Sequence, residues 1–239
     1  MSRKQAGCRR SSIHCVAGVA HVASINGSFD PNTGIPAFVY TSSSWSAANP
    51  QPNVEYSIGP DSWNDHAIKA AWAPRPYGPE SSMDVYAAGK TRPRKLLLPR
   101  ANFGIVFDPE YQGFSSPTGW LKSLFDGEIT FHNFVTPEFA IDTIDCARLH
   151  LSALLDTTVE NQRLFGYAEP YTWNEILAIF RRLYPDRNFM DDLVDAGRDL
   201  TTVTNKRAAE VLRRFGKPGF TTLEESIKAA TEQILSSIR

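Results

Sequence analysis

The fold is decided by the stretch FVYTSS, residues 38–43. Its first residues are aromatic and β-branched, as is typical of a strand, and hydroxyl residues follow at its end. In an open α/β sheet, ligands bind beyond the carboxyl ends of the strands. We therefore predict a strand over this stretch, with Ser43 beside a ligand site.

An earlier run, VAGVAHVAS at residues 16–24, consists mostly of small and β-branched residues. It lacks the alternation of a half-exposed strand, which favours a strand buried on both faces of a parallel sheet. Residues 26–34 then predict a turn, because they are rich in Gly, Asn, Asp and Pro. Together the two strands predict an α/β fold built on a parallel sheet.

The segment at residues 44–83 contains many Pro, Trp, Asn and Ser residues and has no sustained period. It predicts a long loop with one helical turn, and loops of that length in compact domains are usually functional or disordered. Its aromatic residues favour a loop that packs over the rest of the protein: Trp45, Tyr56, Trp63 and Trp72.

Residues 142–155 predict an amphipathic helix, whose first turn Asp142 or Thr143 can cap. His150 lies on this helix, and we expect it to be a core histidine rather than a base. The apolar positions that we expect to face the core are Ile144, Ala147, Leu151 and Leu155.

Strand and helix signals alternate in the remaining sequence. Residues 164–167 predict a short strand, and residues 191–204 predict a polar connection. Three further helices have recognisable ends: a capping box at Thr172 and Glu175 opens a helix through Leu183, Gly216 ends a helix at residues 205–215, and Thr222 with Glu225 caps a last helix that ends near Ile238.

Composition narrows the class of partner. The formal charge is −1, from 25 basic and 26 acidic residues, so no strong field would attract nucleic acid or anionic lipid. No apolar run reaches the roughly 20 residues of a membrane helix, and the 3 cysteines are too few for a disulfide framework. We expect a cytoplasmic protein with a small-molecule ligand and no nucleic-acid or membrane partner. Residues 1–15 are expected to form a disordered basic leader.

Tyr86 and Lys90 stand four residues apart, so on a helix they face the same way. An ammonium beside a phenol stabilises the phenolate and so helps the phenol to give its proton to a carbonyl at neutral pH. The spacing alone is weak evidence. It gains weight from the predicted strand end at Ser43, whose hydroxyl is suited to bind the same carbonyl oxygen.

This Ser-Tyr-Lys arrangement resembles that of the short-chain dehydrogenases/reductases. Residues 19–24 look like the family's fourth strand and residues 38–43 like its fifth. Further segments resemble the extended, dihydroflavonol-reductase-like branch and its fungal aldehyde and ketone reductases: residues 102–104, 119–120, 124–127, 145–150 and 222–227.

The resemblance implies NADPH-dependent reduction of an aldehyde or ketone to an alcohol. On this pattern Ser43 orients the carbonyl, with Ser42 as the alternative, Tyr86 donates the proton and Lys90 supports Tyr86. Lys90 would also bind the cofactor ribose, and Pro99, Asn102 and Phe103 would contact the cofactor. Trp120 is a candidate wall of the substrate pocket, and an ordinary buried tryptophan is the alternative.

The sequence also departs from the family pattern. No glycine-rich G-x-x-G-x-x-G turn is present, Pro93 should end the tyrosine helix early, and Arg100 stands where the family usually has asparagine. We therefore expect a truncated Rossmann-like parallel sheet at residues 16–104 and a smaller α/β substrate domain at residues 105–239. Such a chain could also be a catalytically dead remnant of the family.

Other chemistries fit less well. Cys8, His14, Cys15 and His21 do not follow common zinc-ligand spacings, so no metal is expected. The G-x-S-x-G elbow of a serine hydrolase is absent. A nucleotide-sugar epimerase or dehydratase shares the superfamily chemistry and remains an alternative, although basic clamps for a diphosphate are missing.

Overall fold

The computed structural model describes residues 21–29, 36–74, 81–91, 96–98, 101–103, 116–129, 132, 135–136, 138–156, 158–159, 162–194 and 197–237. The strands within these ranges are β1 (His21–Phe29), β2 (Pro36–Ser43), β3 (Ser57–Ile58), β4 (Leu96–Leu98), β5 (Ala101–Phe103), β6 (Phe139–Asp142), β7 (Leu164–Phe165), β8 (Glu169–Pro170) and β9 (Thr202–Val203). The helices are a short 3-10 helix (Ser44–Ser46), α1 (Asp65–Ala71), α2 (Ser81–Thr91), α3 (Ser116–Phe125), α4 (Thr143–Leu155), α5 (Trp173–Leu183), α6 (Lys206–Arg214) and α7 (Leu223–Ser237).

The main sheet has the strand order β1-β2-β4-β7. β2 runs parallel to β4, and β4 runs parallel to β7. The strands predicted at residues 38–43 and 164–167 are therefore confirmed, with the shorter bounds of β7 in the second case. Because parallel strands end at the same edge, Ser43 at the end of β2 lies level with Leu98 at the end of β4.

The first strand departs from the prediction. β1 spans His21–Phe29 rather than residues 16–24, it extends into the predicted turn, and it pairs with β2 in the antiparallel direction. The predicted parallel orientation was wrong because only residues 30–35 separate the two strands. A parallel connection needs a crossover of a dozen or more residues, whereas a short connection permits only a hairpin. Residues 16–20 lie outside the described residues.

Two smaller sheets join distant parts of the chain. β5 pairs in parallel with β6, β8 pairs antiparallel with β6, and β3 pairs in parallel with β9. The domain division at residue 104 stays a prediction. Strands on either side of it pair with each other, β4 with β7 and β5 with β6.

The predicted long loop at residues 44–83 contains more regular structure than the sequence indicated. It holds the 3-10 helix, β3 and α1, whose first turn is capped by the side chain of Asn64. Trp45 is buried and Tyr56 and Trp63 are half-buried, as expected of a packed loop. Trp72 is the exception, since 84% of its surface is exposed.

Helix α4 has the predicted bounds, and Asp142 accepts hydrogen bonds from the backbone N–H groups of Ile144 and Asp145. Its predicted buried face was wrong, because Ile144, Leu151 and Leu155 are each more than half exposed. The other side of the helix faces the core, where Cys146 and Leu149 pack in a cluster with residues of β6, β7 and α6, and where the Asp145 carboxylate accepts the Thr221 N–H at 2.6 Å. The helix therefore buries the side of Asp145, Cys146, Leu149 and Ser152.

The largest core lies between α3, α5 and α7, and its fully buried side chains include Leu121, Leu124, Ile176, Phe180 and Ile227. The capping box at the start of α5 is confirmed: Thr172 Oγ1 accepts the Glu175 N–H, and Glu175 accepts the Thr172 N–H at 2.7 Å. Within the described ranges, no helix is both long enough and apolar enough to span a bilayer.

Candidate active site

A short helix follows directly after the second strand of the main sheet. β2 stops at Ser43, at the carboxyl edge of the strands, and the 3-10 helix Ser44–Ser46 begins at the next residue. This is the edge at which open α/β sheets bind ligands. The backbone thus places Ser42 and Ser43 where the sequence predicts a site, whereas their side chains lie outside the described part of the structure.

Helix α2 brings Tyr86 to the same place. The helix packs against the 3-10 helix and against α1. The half-buried Tyr86 ring meets the ring of Trp45 edge-on, with 6.1 Å between their centroids and 83° between their planes. Trp45 follows Ser43 by two residues, so the tyrosine and the end of β2 are neighbours.

Lys90 is also on α2, one helical turn after Tyr86, as its spacing predicts. Its side chain is not among those described. The helix ends at Thr91, two residues before Pro93, which agrees with the predicted early stop. Thr91 Oγ1 donates to the carbonyl of Ala87 at 2.8 Å and satisfies one acceptor of the last turn.

Small residues set the spacing of α1 and α2. Ala67 of α1 and Ala87 of α2 are fully buried and form a cluster with Trp45, against which Tyr86 and Ala88 pack. Because an alanine has no side chain beyond Cβ, the two helices can approach closely over the Trp45 ring. The packing leaves the Tyr86 residue half-buried rather than enclosed in the core.

Asn64 is a polar residue of this region that the sequence analysis did not single out. Only 4% of its surface is exposed. Its Nδ2 donates to the Trp45 carbonyl at 2.8 Å and to Asn49 Oδ1 at 2.7 Å, and its Oδ1 accepts the Ala67 N–H at 3.0 Å. The sequence does contain an N-cap residue type before the helical residues 65–71. This pattern indicates where the helix begins, but it does not indicate the bonds from Asn64 to Trp45 and Asn49.

A cleft of about 550 Å³ opens beside Asn64. Ala47 and Ala48 form part of its wall, and its polar lining includes Asn49, Gln51 and His66. The volume lies within the range of small-molecule pockets. The cleft therefore has the size and the hydrogen-bonding groups for a small polar ligand.

Arg163 stacks on Trp63, which lines this cleft. Its guanidinium lies 3.9 Å from the centroid of the Trp63 ring, and its Nη1 donates to the carbonyls of Pro60 and Ser62, each at 2.7 Å. Burial lowers the pKa of Arg163 from its usual value, although Tyr167 and Asp61 oppose this shift. A planar group that stacks on a ring and donates to two carbonyls restrains the chain at residues 60–63.

Two other tyrosines, Tyr56 and Tyr167, lie near the cleft. Burial raises the pKa of Tyr56, and it raises the pKa of the fully enclosed Tyr167 well above 10. The nearby carboxylates of Glu138 and Asp199 add to both rises. These phenols therefore hold their protons firmly, and Tyr167 is only 2% exposed, which makes it a poor proton donor to a ligand.

The remaining predicted positions are more distant in the chain. Asn102 and Phe103 lie on β5, where they pair with Ile141 and Asp142, and their side chains are outside the described part; Pro99 lies outside it altogether. Trp120, on α3, is half-buried against the largest core, and its carbonyl accepts a hydrogen bond from His132 Nε2 at 3.0 Å. Their roles toward cofactor and substrate stay predictions.

Metal binding has no support in the described residues, which contain no group of His, Cys, Asp and Glu side chains suited to hold an ion. Of the residues considered for zinc, Cys8, His14 and Cys15 lie outside the described ranges, and only the backbone of His21, in β1, lies within them.

No protein-family model matches the chain. It is 34% identical to aldehyde reductase 2 of Sporidiobolus salmonicolor, over 89% of this chain and 73% of that protein. It is 31% identical to the NAD-dependent epimerase/dehydratase terH of Aspergillus terreus, over 80% of this chain and 61% of that protein. It is 32% identical to the ketoreductase nvfG of Aspergillus novofumigatus, over 72% of this chain and 55% of that protein.

Solved structures with the same fold include Gre2 of Candida albicans in complex with NADPH, which matches with a TM-score of 0.61 and 19% identity, over 83% of this chain and 64% of that one. Vestitone reductase of alfalfa matches with a TM-score of 0.56 and 16% identity, over 83% of this chain and 65% of that one. The chain thus spans less than two thirds of these structures and has their Rossmann-type α/β fold. Together with the aldehyde reductase similarity, this shows that the chain belongs to the extended short-chain dehydrogenase/reductase family, with aldehyde reductases and ketoreductases among its relatives.

Proposed function

We propose that the protein reduces an aldehyde or ketone to an alcohol with NADPH. The observation that carries the proposal is the position of Tyr86, half-buried on α2 and packed against Trp45 beside the carboxyl end of β2. Relatives named aldehyde reductase and ketoreductase support this class of reaction.

The proposed roles follow the order of the elements. Ser43 at the strand end donates a hydrogen bond to the carbonyl oxygen, and Tyr86 transfers its proton to that oxygen as the carbon is reduced. Lys90, one turn along α2, stabilises the phenolate that remains. The alcohol then leaves, and a proton from water restores the phenol.

The proposed place of the cofactor is the edge where β2 and β4 end side by side, because open α/β sheets bind ligands beyond the carboxyl ends of their strands. Lys90, Pro99, Asn102 and Phe103 are the residues proposed to contact it, and Trp120 is proposed as a wall of the substrate pocket. When bound, NADPH supplies the hydride that the carbonyl carbon accepts. The chain itself supplies the proton and the orientation of the carbonyl.

The experiment measures NADPH binding to the purified chain by fluorescence or calorimetry, and then turnover of a panel of aldehydes and ketones. In Tyr86→Phe we expect kcat to fall at least about a hundredfold with unchanged NADPH affinity, because only the proton donor is lost. Tyr184→Phe is the matched control, since Tyr184 packs edge-on against Phe125 in the largest core. We expect it to keep wild-type turnover.

Two outcomes would contradict the proposal. Full turnover in Tyr86→Phe would remove the tyrosine from the chemistry, and a folded wild-type chain without saturable NADPH binding would favour a non-catalytic member of the family.

A second candidate, epimerase or dehydratase activity, is favoured by the similarity to proteins named NAD-dependent epimerase/dehydratase. It predicts conversion of a nucleotide sugar without net consumption of NADPH.

A further inference from the structure

We propose that Asn64 is a positioning residue for Tyr86 and acts through Trp45. The inference rests on the proposed function, in which Tyr86 is the proton donor. Its effect passes through the main chain that follows Ser43. This role differs from that of an ordinary helix cap, which Asn64 also fulfils for α1.

The first step of the argument is the set of bonds that Asn64 makes to the segment after β2. Its Nδ2 donates to the Trp45 carbonyl at 2.8 Å, and its backbone N–H donates to the Ser46 carbonyl at 3.0 Å. Both acceptors belong to the 3-10 helix that leaves the strand end. Through these two hydrogen bonds, the buried Asn64 connects the 3-10 helix after Ser43 to the start of α1.

The second step connects Trp45 with Tyr86. The two rings are in edge-to-face contact, and Trp45 is itself buried against Ala67 and Ala87. Asn64 and Ala67 both belong to the start of α1, and both are linked to Trp45. A shift of the Trp45 backbone would therefore move the ring that Tyr86 contacts. A displacement of about 1 Å in a reacting group can cost on the order of a hundredfold in rate.

The third step separates positioning from capping. Ser, Asp and Asn are nearly equivalent as N-cap residues, so replacing Asn64 by either keeps α1 capped. Asn64→Ser loses the Nδ2 donor, and Asn64→Asp places an acceptor oxygen against the Trp45 carbonyl. Both changes remove the link to Trp45 while retaining the cap.

The test compares Asn64→Ser and Asn64→Asp with Asn205→Ser. Asn205 also stands at a helix start, and its Nδ2 donates to the Tyr167 carbonyl at 2.6 Å. We expect both Asn64 variants to lose roughly ten- to a hundredfold in kcat, with unchanged NADPH affinity and a displaced pH–rate profile. We expect Asn205→Ser to keep kcat and the profile.

The proposal is overturned if a folded Asn64 variant has the wild-type kcat and pH profile, or if Asn205→Ser loses as much kcat. A wild-type chain without turnover would contradict the proposed function, and near-UV circular dichroism then tests the positioning by itself. The change in the near-UV spectrum that Tyr86→Phe causes reports the Trp45–Tyr86 pair. If this change is smaller when Asn64→Ser is also present, the proposal is supported. If the change is equally large with and without Asn64→Ser, the proposal is overturned.

Discussion

At the scale of single residues, His132 shows how burial changes a titratable group. It is 2% exposed, its Nε2–H donates to the Trp120 carbonyl, and its ring meets Trp173 edge-on at 4.6 Å. Burial lowers the pKa of His132 below its ordinary value, and the bond to Trp120 only partly opposes this. The folded protein therefore keeps this ring neutral at a pH where the unfolded chain protonates it.

This difference predicts a pH dependence of stability. Unfolding takes up a proton at His132 once the pH falls below about 6.5, so the free energy of unfolding decreases from there toward the lower pKa of the folded state. The slope is at most about 1.4 kcal/mol per pH unit for one group. We expect urea titrations between about pH 8 and 5.5 to show a smaller decrease in His132→Gln.

The comparison with His132→Gln isolates this group, because every other titratable residue is common to both proteins. Glutamine also keeps an N–H that can donate to the Trp120 carbonyl. If the two proteins lose the same free energy of unfolding over this pH range, His132 is not held neutral by burial.

At the scale of elements, the C-terminus of α6 is a clear example of a local signal. Gly216 has a φ of +84°. Its N–H donates to the Arg213 carbonyl at 3.2 Å, and the Lys217 N–H donates to the Leu212 carbonyl at 3.1 Å. These two bonds form a Schellman motif, which requires a left-handed residue after the helix.

Gly216→Ala should lower the free energy of unfolding by about 1 kcal/mol, because a Cβ disfavours the left-handed conformation. A Cβ at this position meets no heavy atom within 4 Å, so the cost comes from the backbone alone. Gly219 provides the control, since it also has open space around its Cβ and no positive φ. Denaturant unfolding should show Gly219→Ala unchanged or slightly stabilised; an equal loss in both variants would exclude backbone strain as the cause.

At the scale of the whole molecule, carboxylates join the start of the last helix to β6, β8 and α4. Asp145 accepts the Thr221 N–H, Glu169 accepts the Leu223 N–H at 2.9 Å, and Asp142 accepts the hydroxyl of Ser226 at 3.2 Å. Negative groups are favourable at a helix N-terminus, where N–H groups lack partners within the helix. The start of α7 is therefore held by residues from distant parts of the chain.

Asp145→Asn tests this connection. Asp145 is fully buried and lies 3.3 Å from Lys217 Nζ, so the substitution removes the charge that Lys217 pairs with and leaves Lys217 only its hydrogen bond to Thr221 Oγ1. We expect the free energy of unfolding to fall by about 1–3 kcal/mol in urea. Asp192→Asn is the matched control, because the Asp192–Arg181 pair is on the surface and should contribute less than about 1 kcal/mol. If the two substitutions lower the free energy of unfolding equally, the burial of Asp145 does not strengthen its interactions.

Features that depend on neighbouring residues could be predicted from the sequence alone. The strand at residues 38–43, the capping box at Thr172, the stop at Gly216 and the end of the tyrosine helix before Pro93 all follow from signals within a few residues. Family resemblance added the Ser-Tyr-Lys pattern, and the backbone of β2 and α2 brings the end of β2 and Tyr86 together.

Features that depend on partners distant in the sequence became clear only in the folded protein. The direction of β1 follows from the short connection and the pairing with β2, not from its apolar composition. The buried face of α4 follows from its packing against β6, β7 and α6, and the bonds of Asn64 follow from the path of residues 45–49. A local pattern cannot specify these features, because the groups that satisfy a buried carboxylate or amide are brought to it only when the whole chain folds.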